Sequence, residues 1–503
     1  MSQIRRQSII SSVMVYGGFA LGFINTYLFT KEGGFTKEQY GLTGIFIAIA
    51  SLMVSFASLG MPAYIYKFFP YYNDNLDKKR NDILSLALVV SLIGFCFVAF
   101  AGYYFRDIVI RKFGNSPQLI QYYYWIFPFG LGLNLYSILE SYAWQLKKSV
   151  LTNFLREVQF RLFTTILIVL TFAGLLSSFD LFIKIYSFTY LGIALILLVY
   201  LLAKGYIHLS FKTSIVTKKF LKKILVFVSF VYGGALVYNI SLVFDSLVIA
   251  SVLKEGLAAV AVYSLAQNIG SLIQAPQRGI ISSSIAALSR AWKDKDMARI
   301  ERIYKQSSIN QMIFAVAMFS LIWLNFRDGV LTFKMQQGYL DARWIFFYIG
   351  LYRIVDMGTG VNSQIIATSI RWRFEFVTGI ILLLITLPLN YVLTKYLFGV
   401  LGPAIANFFS FTVYNAIRFW FLKTKYNLQP FTKHSAYTLL LGAACYFICY
   451  FLFDKCQGFV WIVIRSTAFI VLYISGTLLL NLSSDIAPVW NTVLKRVGIK
   501  KGE

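Results

Sequence analysis

The sequence is a succession of long apolar runs, each separated from the next by a short polar link. An apolar run of about 20 residues crosses a bilayer as an α-helix, because each residue rises about 1.5 Å against roughly 30 Å of hydrocarbon. Hydrophobic residues make up 58% of the chain and charged residues 14%, which is more apolar than a soluble domain can bury. The runs are continuous, whereas the strands of a transmembrane β-barrel alternate in polarity. We therefore predict an all-α, polytopic integral membrane protein.

We expect about 14 transmembrane helices, arranged as two six-helix lobes followed by two further helices. A long polar link at 204–223 follows the sixth apolar run and divides the lobes. The predicted domains are an N-terminal lobe at 1–210, a C-terminal lobe at 211–430, and two extra helices with a basic tail at 431–503. The predicted spans lie near 8–30, 40–66, 83–105, 119–145, 155–176, 181–203, 224–250, 257–285, 306–326, 342–368, 374–394, 400–422, 435–453 and 459–480.

A weak internal repeat supports the division into two lobes. The segment Tyr40–Pro62 is echoed by Val262–Ser284, about 220 residues later. Both segments open with an aromatic residue after an outer loop, have Ser-Leu near the centre, and carry proline in the inner half. Membrane transporters are often built from two such repeats, with the substrate held between them.

The chain carries a formal charge of +26, and the distribution of this charge indicates orientation rather than nucleic-acid binding. With a cytoplasmic N-terminus, roughly 30 Lys and Arg residues fall on the inner side and about 11 in the outer loops. This asymmetry is the positive-inside rule, so we expect both termini in the cytoplasm, the bilayer as the partner, and no nucleic acid. The four cysteines have neither disulfide nor metal-ligand spacing, and we expect no metal or cofactor.

Three short motifs resemble those of the multidrug/oligosaccharidyl-lipid/polysaccharide exporter superfamily. "LPLNYVLTKYLFGVLGPAIANFF" (387–409) is similar to its helical hairpin with a restart rich in small residues, where Gly402-Pro403 replaces the more common Gly-Ala. "FDSLVIASVLKEGLAAVAVYSLAQNI" (244–269) looks like the hairpin between its seventh and eighth helices. "NSQIIATSIRWRFE" (362–375) looks like the end of the tenth helix and its basic inner turn. Within the superfamily, the chain is most similar to the polysaccharide exporters, including the O-antigen and capsular flippases.

The resemblance implies a function as well as a fold. Members of this branch move undecaprenyl-pyrophosphate-linked oligosaccharides from the cytoplasmic to the periplasmic leaflet of the bacterial inner membrane by alternating access. Glycan-assembly enzymes on the cytoplasmic face are the implied partners, and the driving force is an H⁺ or Na⁺ gradient or the membrane potential. Two alternatives in the same superfamily remain open. One is a lipid II flippase, which also has fourteen helices, and the other is a cation-coupled multidrug antiporter, which usually has fewer.

Arg353 and Asp356 lie near the middle of a predicted span and share one helical face. A charge at that depth costs from about 3 to over 10 kcal/mol if it faces lipid, so both side chains must face protein or water. Two interpretations stay open. The two form a local ion pair, or Arg353 lines the substrate cavity and pairs with a pyrophosphate in fork geometry, leaving Asp356 a coupling or gating role.

Arg278 follows Pro276 within the eighth predicted span and has no acidic residue within one or two turns. Its partner is therefore either an anionic substrate or Asp245 on the preceding helix. Asp245 either carries a coupling proton or cation, or locks Arg278 or Arg353 in the outward-closed state. We accordingly predict that Arg278 and Arg353 bind substrate and that Asp245 serves coupling or gating.

Glu140, in the fourth predicted span, either forms a gate pair with Arg161 or reaches the membrane interface. Arg161, Arg418 and Arg465 lie within about two turns of predicted helix ends, where long side chains usually reach the headgroups. A membrane enzyme, such as a polymerase or acyltransferase, would need a catalytic cluster outside the membrane. The longest outer loops, 106–118 and 327–341, are short and contain no histidine, so we expect no enzymatic activity.

Overall fold

The computed structural model describes residues 3–210, 212–454, 456–483 and 485, and every element in these residues is helical. The all-α prediction is confirmed. The α-helices are, in chain order, α1 (Gln3–Thr30), α2 (Lys37–Ala57), α3 (Met61–Asn75), α4 (Ile83–Tyr104), α5 (Arg106–Lys112), α6 (Pro117–Gln121), α7 (Ile126–Gln145), α8 (Ser149–Asn153), α9 (Phe160–Phe172), α10 (Phe179–Ser187), α11 (Thr189–Ala203), α12 (Ile215–Val252), α13 (Gly256–Ser271), α14 (Gln277–Lys293), α15 (Met297–Thr332), α16 (Ala342–Gly358), α17 (Asn362–Thr368), α18 (Arg373–Val392), α19 (Gly402–Tyr426), α20 (Lys433–Leu452) and α21 (Phe459–Leu479).

Within the described residues, eight helical stretches are long and apolar enough to cross a membrane by length and composition. Two of these stretches contain two α-helices each: Phe179–Ala203 contains α10 and α11, and Arg373–Tyr426 contains α18 and α19. Several of the other predicted spans correspond to helices that are short or interrupted, as in 342–368, where α16 ends at Gly358 and α17 begins at Asn362. The fold is that of a multi-pass membrane protein.

The interruptions have local causes that bear on the candidate sites. Gly360, between α16 and α17, has a φ of +62°, a left-handed conformation that favours glycine. A 3₁₀ turn and Pro276, which lacks a backbone N–H, separate α13 from α14. Between α8 and α9 the chain forms a π-helical turn, Phe154–Gln159. Such breaks free backbone groups, and π-helical turns are frequent at functional sites.

The chain divides into two compact units, Met1–Ala261 and Val262–Glu503. In the first unit α7 packs between α2 and α11, and α12 packs on α2 and α3. This division reflects packing, whereas the predicted boundary at 210 rests on the polar link at 204–223, with the repeat as support. The predicted domain boundaries therefore stay predictions.

In the second unit α16 packs against α15 and α19, and α18 packs against α19. The α18–α19 hairpin brings two backbones close together, as the small residues there predict. A Cβ on Gly402 would lie 2.5 Å from the backbone nitrogen of Thr394, so no larger residue fits without movement of the backbone. The close approach predicted for this hairpin is confirmed.

The C-terminal helices α20 and α21 both pack on α15. Arg465 of α21 is buried and pairs with Asp328 at 2.5 Å, while its Nε donates to Asn325 Oδ1 at 2.9 Å. Arg418 of α19 is also buried and pairs with Glu375. The interface position predicted for both arginines is wrong, because each has a carboxylate partner on another helix.

Candidate functional sites

The second unit contains a buried polar network centred on Asp356. Among the described residues, Arg353 and Asp356 form no ion pair, so the local pair is wrong. Instead, Asp356 Oδ2 accepts a hydrogen bond from Gln277 Nε2 at 3.0 Å, and Oδ1 accepts one from Asn415 Nδ2 at 3.3 Å. Two neutral amides therefore hold the carboxylate, and Arg353 forms no ion pair with it.

Asn415 of α19 links Asp356 to the break between α16 and α17. Its Oδ1 accepts hydrogen bonds from Thr359 Oγ1 and from Asn362 Nδ2, both at 2.9 Å. Because Oδ1 accepts twice and Nδ2 donates to Asp356, the orientation of the Asn415 amide is fixed. The helix break thus supplies two donors, and α14, α16, α17 and α19 meet at one carboxylate.

Arg353 lies one turn before this network and forms no ion pair with a described residue. Its Nε is buried, and no described group accepts a hydrogen bond from it. The guanidinium carbon lies 5.2 Å from the centroid of the Tyr352 ring, which is a weak substitute for an anion. Buried donors are nearly always paired, so the Nε of Arg353 is a candidate donor to a ligand that supplies an acceptor. A phosphate or pyrophosphate oxygen has the required chemistry.

The other residues predicted for this site are Arg278 and Asp245. Arg278 lies in the first turn of α14, but its side chain lies outside the described residues. Asp245 lies in α12 and is buried. The predicted pairing of Asp245 with Arg278 or Arg353 stays a prediction.

The predicted gate pair between Glu140 and Arg161 is wrong. Glu140 Oε2 lies 3.2 Å from a guanidinium nitrogen of Arg156, and Arg161 pairs with Glu157 at 2.5 Å. The π-helical turn Phe154–Gln159 carries Arg156 toward α7, whereas the predicted fifth span begins at 155 and leaves Arg156 at its edge. Sequence reasoning therefore missed Arg156, although an acidic residue in the preceding span signalled a nearby cation.

Arg161 lies in the first turn of α9 and contacts α1. Asn25 Nδ2 donates to the backbone oxygen of Arg161 at 2.8 Å, and Thr165 Oγ1 donates to Asn25 Oδ1 at 2.6 Å. The Arg161 guanidinium lies over Gly22, where a Cβ would approach its Nε to 2.8 Å. This arrangement joins the two helices, and Arg161 is held by Glu157 on its own helical segment.

Comparisons with known proteins assign the chain to a family. Residues 4–292 match the model of a family described as polysaccharide biosynthesis protein. No curated protein matches the chain. Among solved structures, the lipid II flippase MurJ in an inward closed conformation is similar, with a TM-score of 0.72 and 17% identity over 93% of this chain and 98% of that one.

Two transporter structures extend the fold comparison. An inward-facing multidrug resistance MATE family transporter of the MOP superfamily has a TM-score of 0.64 and 14% identity, over 82% of this chain and 94% of that one. A multidrug resistance MATE family transporter of the MOP superfamily in an outward-facing conformation has a TM-score of 0.57 and 14% identity, over 83% of this chain and 95% of that one. At such identities the likeness is one of fold. The chain belongs to the polysaccharide biosynthesis protein family and has the fold of the transporters and flippases of the MOP superfamily.

Proposed function

We propose that this protein is a flippase that moves an undecaprenyl-pyrophosphate-linked oligosaccharide from the cytoplasmic to the periplasmic leaflet of a bacterial inner membrane by alternating access. The observation that carries the proposal is the Arg353 guanidinium, which has a buried Nε without an acceptor beside a carboxylate that two amides already hold. A pyrophosphate offers several oxygens in a geometry that suits the guanidinium fork. Arg278, from α14 of the same unit, is the second cation that we assign to the substrate.

The amide-held Asp356 is our candidate for energy coupling. Its two oxygens already accept from Gln277 and Asn415, so a proton or a sodium ion that binds there must rearrange these contacts. Such a rearrangement would be transmitted to the break between α16 and α17. The membrane potential contributes as well, because each negative charge moved outward gains about 2.3 kcal/mol per 100 mV.

Lipid II is the second candidate substrate, because the chain shares its fold with a lipid II flippase and because lipid II also joins a glycan to a polyprenyl pyrophosphate. A cation-coupled drug antiporter is the alternative from the other fold neighbours. It would transport cations, which the positive charge of Arg353 repels. The arginine therefore favours an anionic substrate. The glycan-assembly enzymes on the cytoplasmic face are the partners that we infer for it.

Mass spectrometry of lipid-linked glycans after depletion of the protein tests this function. We expect an undecaprenyl-pyrophosphate oligosaccharide to accumulate while surface glycan is lost. Wild-type protein should restore both, and Arg353→Gln should not. Lys305→Gln is the matched control, because Lys305 lies in the same unit and its ion pair among the described residues is with Glu301, one turn away on α15. Accumulated lipid II would identify the second candidate, and unchanged lipid pools would refute both.

A further inference from the structure

The first unit holds a second arginine with unused hydrogen-bonding capacity. The side chain of Arg156 is 52% exposed, whereas its partner Glu140 is 7% exposed. Glu140 contacts one guanidinium nitrogen at 3.2 Å, and it is itself held by the hydroxyl of Tyr136 at 3.4 Å. A guanidinium has five N–H donors, so one anchoring contact leaves most of them available. An exposed cation anchored from behind by a buried carboxylate is suited to bind an anion.

An aromatic pair, Tyr66 and Trp144, lies on the same side of α7. The two rings are stacked with centroids 5.8 Å apart and planes 14° from parallel, and each residue is about two-fifths exposed. Hydrogen bonds fix both rings, because Ser141 Oγ donates to the Tyr66 hydroxyl at 3.2 Å and Trp144 Nε1 donates to Thr152 Oγ1 at 2.8 Å. The pair is thus a rigid, partly exposed apolar platform.

The platform and the cation form one surface. Glu140 and Trp144 are four residues apart on α7 and therefore share a helical face. Thr152, which holds Trp144, lies four residues before Arg156 on the segment facing α7. The Tyr136 hydroxyl lies 3.4 Å from Glu140 Oε1 and 2.7 Å from the backbone oxygen of Thr152, which places the two ends of the surface close together. We call this the Tyr66–Trp144–Arg156 surface.

We propose that the Tyr66–Trp144–Arg156 surface binds the sugar–pyrophosphate junction of the lipid-linked glycan, with Arg156 on a phosphoryl oxygen and Trp144 against the first sugar ring. The C–H bonds of a sugar face carry partial positive charge and pack on the negative face of an aromatic ring. A guanidinium binds phosphoryl oxygens through charge-assisted hydrogen bonds. Only a ligand that joins a sugar to a phosphate uses both halves of the surface. The inference rests on the proposed function and adds to it a binding subsite within the first unit.

Binding to purified full-length protein in nanodiscs tests the subsite with two probes, farnesyl pyrophosphate and a farnesyl-pyrophosphate-linked disaccharide. We expect Arg156→Gln to lower the affinity for both probes by about tenfold, because a charge-assisted contact is lost. Trp144→Ala should weaken only the disaccharide probe, by about tenfold. The matched controls are Lys184→Gln, which removes a surface cation of the first unit, and Phe100→Ala, which removes one ring of an exposed stacked pair. Neither control should change the affinity for either probe.

Arg156→Gln leaves the Glu140 carboxylate buried without its partner, so the double variant E140Q/R156Q provides a second test with no unpaired charge. Trp144→Phe keeps the ring but loses the bond to Thr152, and it should retain most of the affinity for the disaccharide probe. Wild-type affinity in both Arg156→Gln and Trp144→Ala would overturn the subsite and leave the flippase standing. The subsite would also be overturned if Arg156→Gln weakened binding to anionic-lipid vesicles but left the affinity for both probes unchanged, because Arg156 would then contact lipid headgroups. If the wild-type protein bound neither probe, the proposed function itself would fail.

Discussion

Replacement of Asn415 by leucine tests the polar network that holds Asp356. Asn415 is buried, and its side chain makes four hydrogen bonds, to Thr359, Asn362, Asp356 and the backbone oxygen of Phe411. Leucine is similar in size but can neither donate nor accept. The substitution therefore removes the hydrogen bonds with little change in packing volume.

The loss in the free energy of unfolding follows from the hydrogen bonds that each partner of Asn415 retains. Thr359 Oγ1 can still donate to the backbone oxygen of Asp356 at 2.8 Å, and the Asp356 carboxylate keeps its bond from Gln277. The Asn362 side chain loses the acceptor of its amide group, and a buried donor left unpaired costs about 1–3 kcal/mol. Adding a smaller term for the Asp356 contact, which is long at 3.3 Å, gives a loss of about 2–4 kcal/mol in the free energy of unfolding.

Unfolding in mixed detergent micelles, followed by tryptophan fluorescence, measures this loss. Asn73→Leu is the control, because Asn73 is exposed on α3 and should change the free energy by no more than about 0.5 kcal/mol. Asn415→Asp should be more destabilising than Asn415→Leu, since it brings a second carboxylate against Asp356. An Asn415→Leu protein as stable as the wild type would refute the network as a structural element.

Three further predictions concern the second unit. Asp328→Leu alone should lower the free energy of unfolding by about 3–5 kcal/mol, because the buried Arg465 loses its partner. The double variant with Arg465→Met should regain most of this loss, and denaturation curves compare the two variants. Gly402→Ala should cost about 1–3 kcal/mol, because its Cβ would meet the Thr394 backbone, and a lowered melting temperature would show this. Gly360→Ala should cost at least about 1–2 kcal/mol through its left-handed φ, and an unchanged melting temperature would contradict this reasoning.

Much of the fold could be predicted from the sequence, because lipid imposes long apolar helices and small residues mark close helix approaches. The α18–α19 hairpin at Gly402 is an example. The partners of the charged residues could not be predicted in the same way. Arg418 and Arg465 pair with carboxylates on other helices, and helical periodicity carries no information about such pairs. The separation of Arg353 from Asp356 likewise depends on an amide donor from α19, far away in the chain.

The predicted pairing of Glu140 with Arg161 is wrong for a different physical reason. A regular helix through residues 154–159 is the natural expectation from an apolar run, but the chain forms a π-helical turn there. This turn directs Arg156 toward α7 and leaves Arg161 with Glu157. Local backbone irregularity is set by tertiary packing, so the sequence pattern alone indicates neither the turn nor the cation that it positions.

The most direct measurement is a transport assay in proteoliposomes with a fluorescent prenyl-pyrophosphate-linked disaccharide and a membrane-impermeant quencher. We expect wild-type protein and Lys305→Gln to make the inner-leaflet probe accessible to the quencher, and Arg353→Gln to slow this by at least about tenfold, as the loss of a charge-assisted contact predicts. Equal rates in Arg353→Gln and wild type would contradict the assignment of Arg353 to the substrate. No transport by the wild-type protein under an imposed potential or ion gradient would contradict the proposed function.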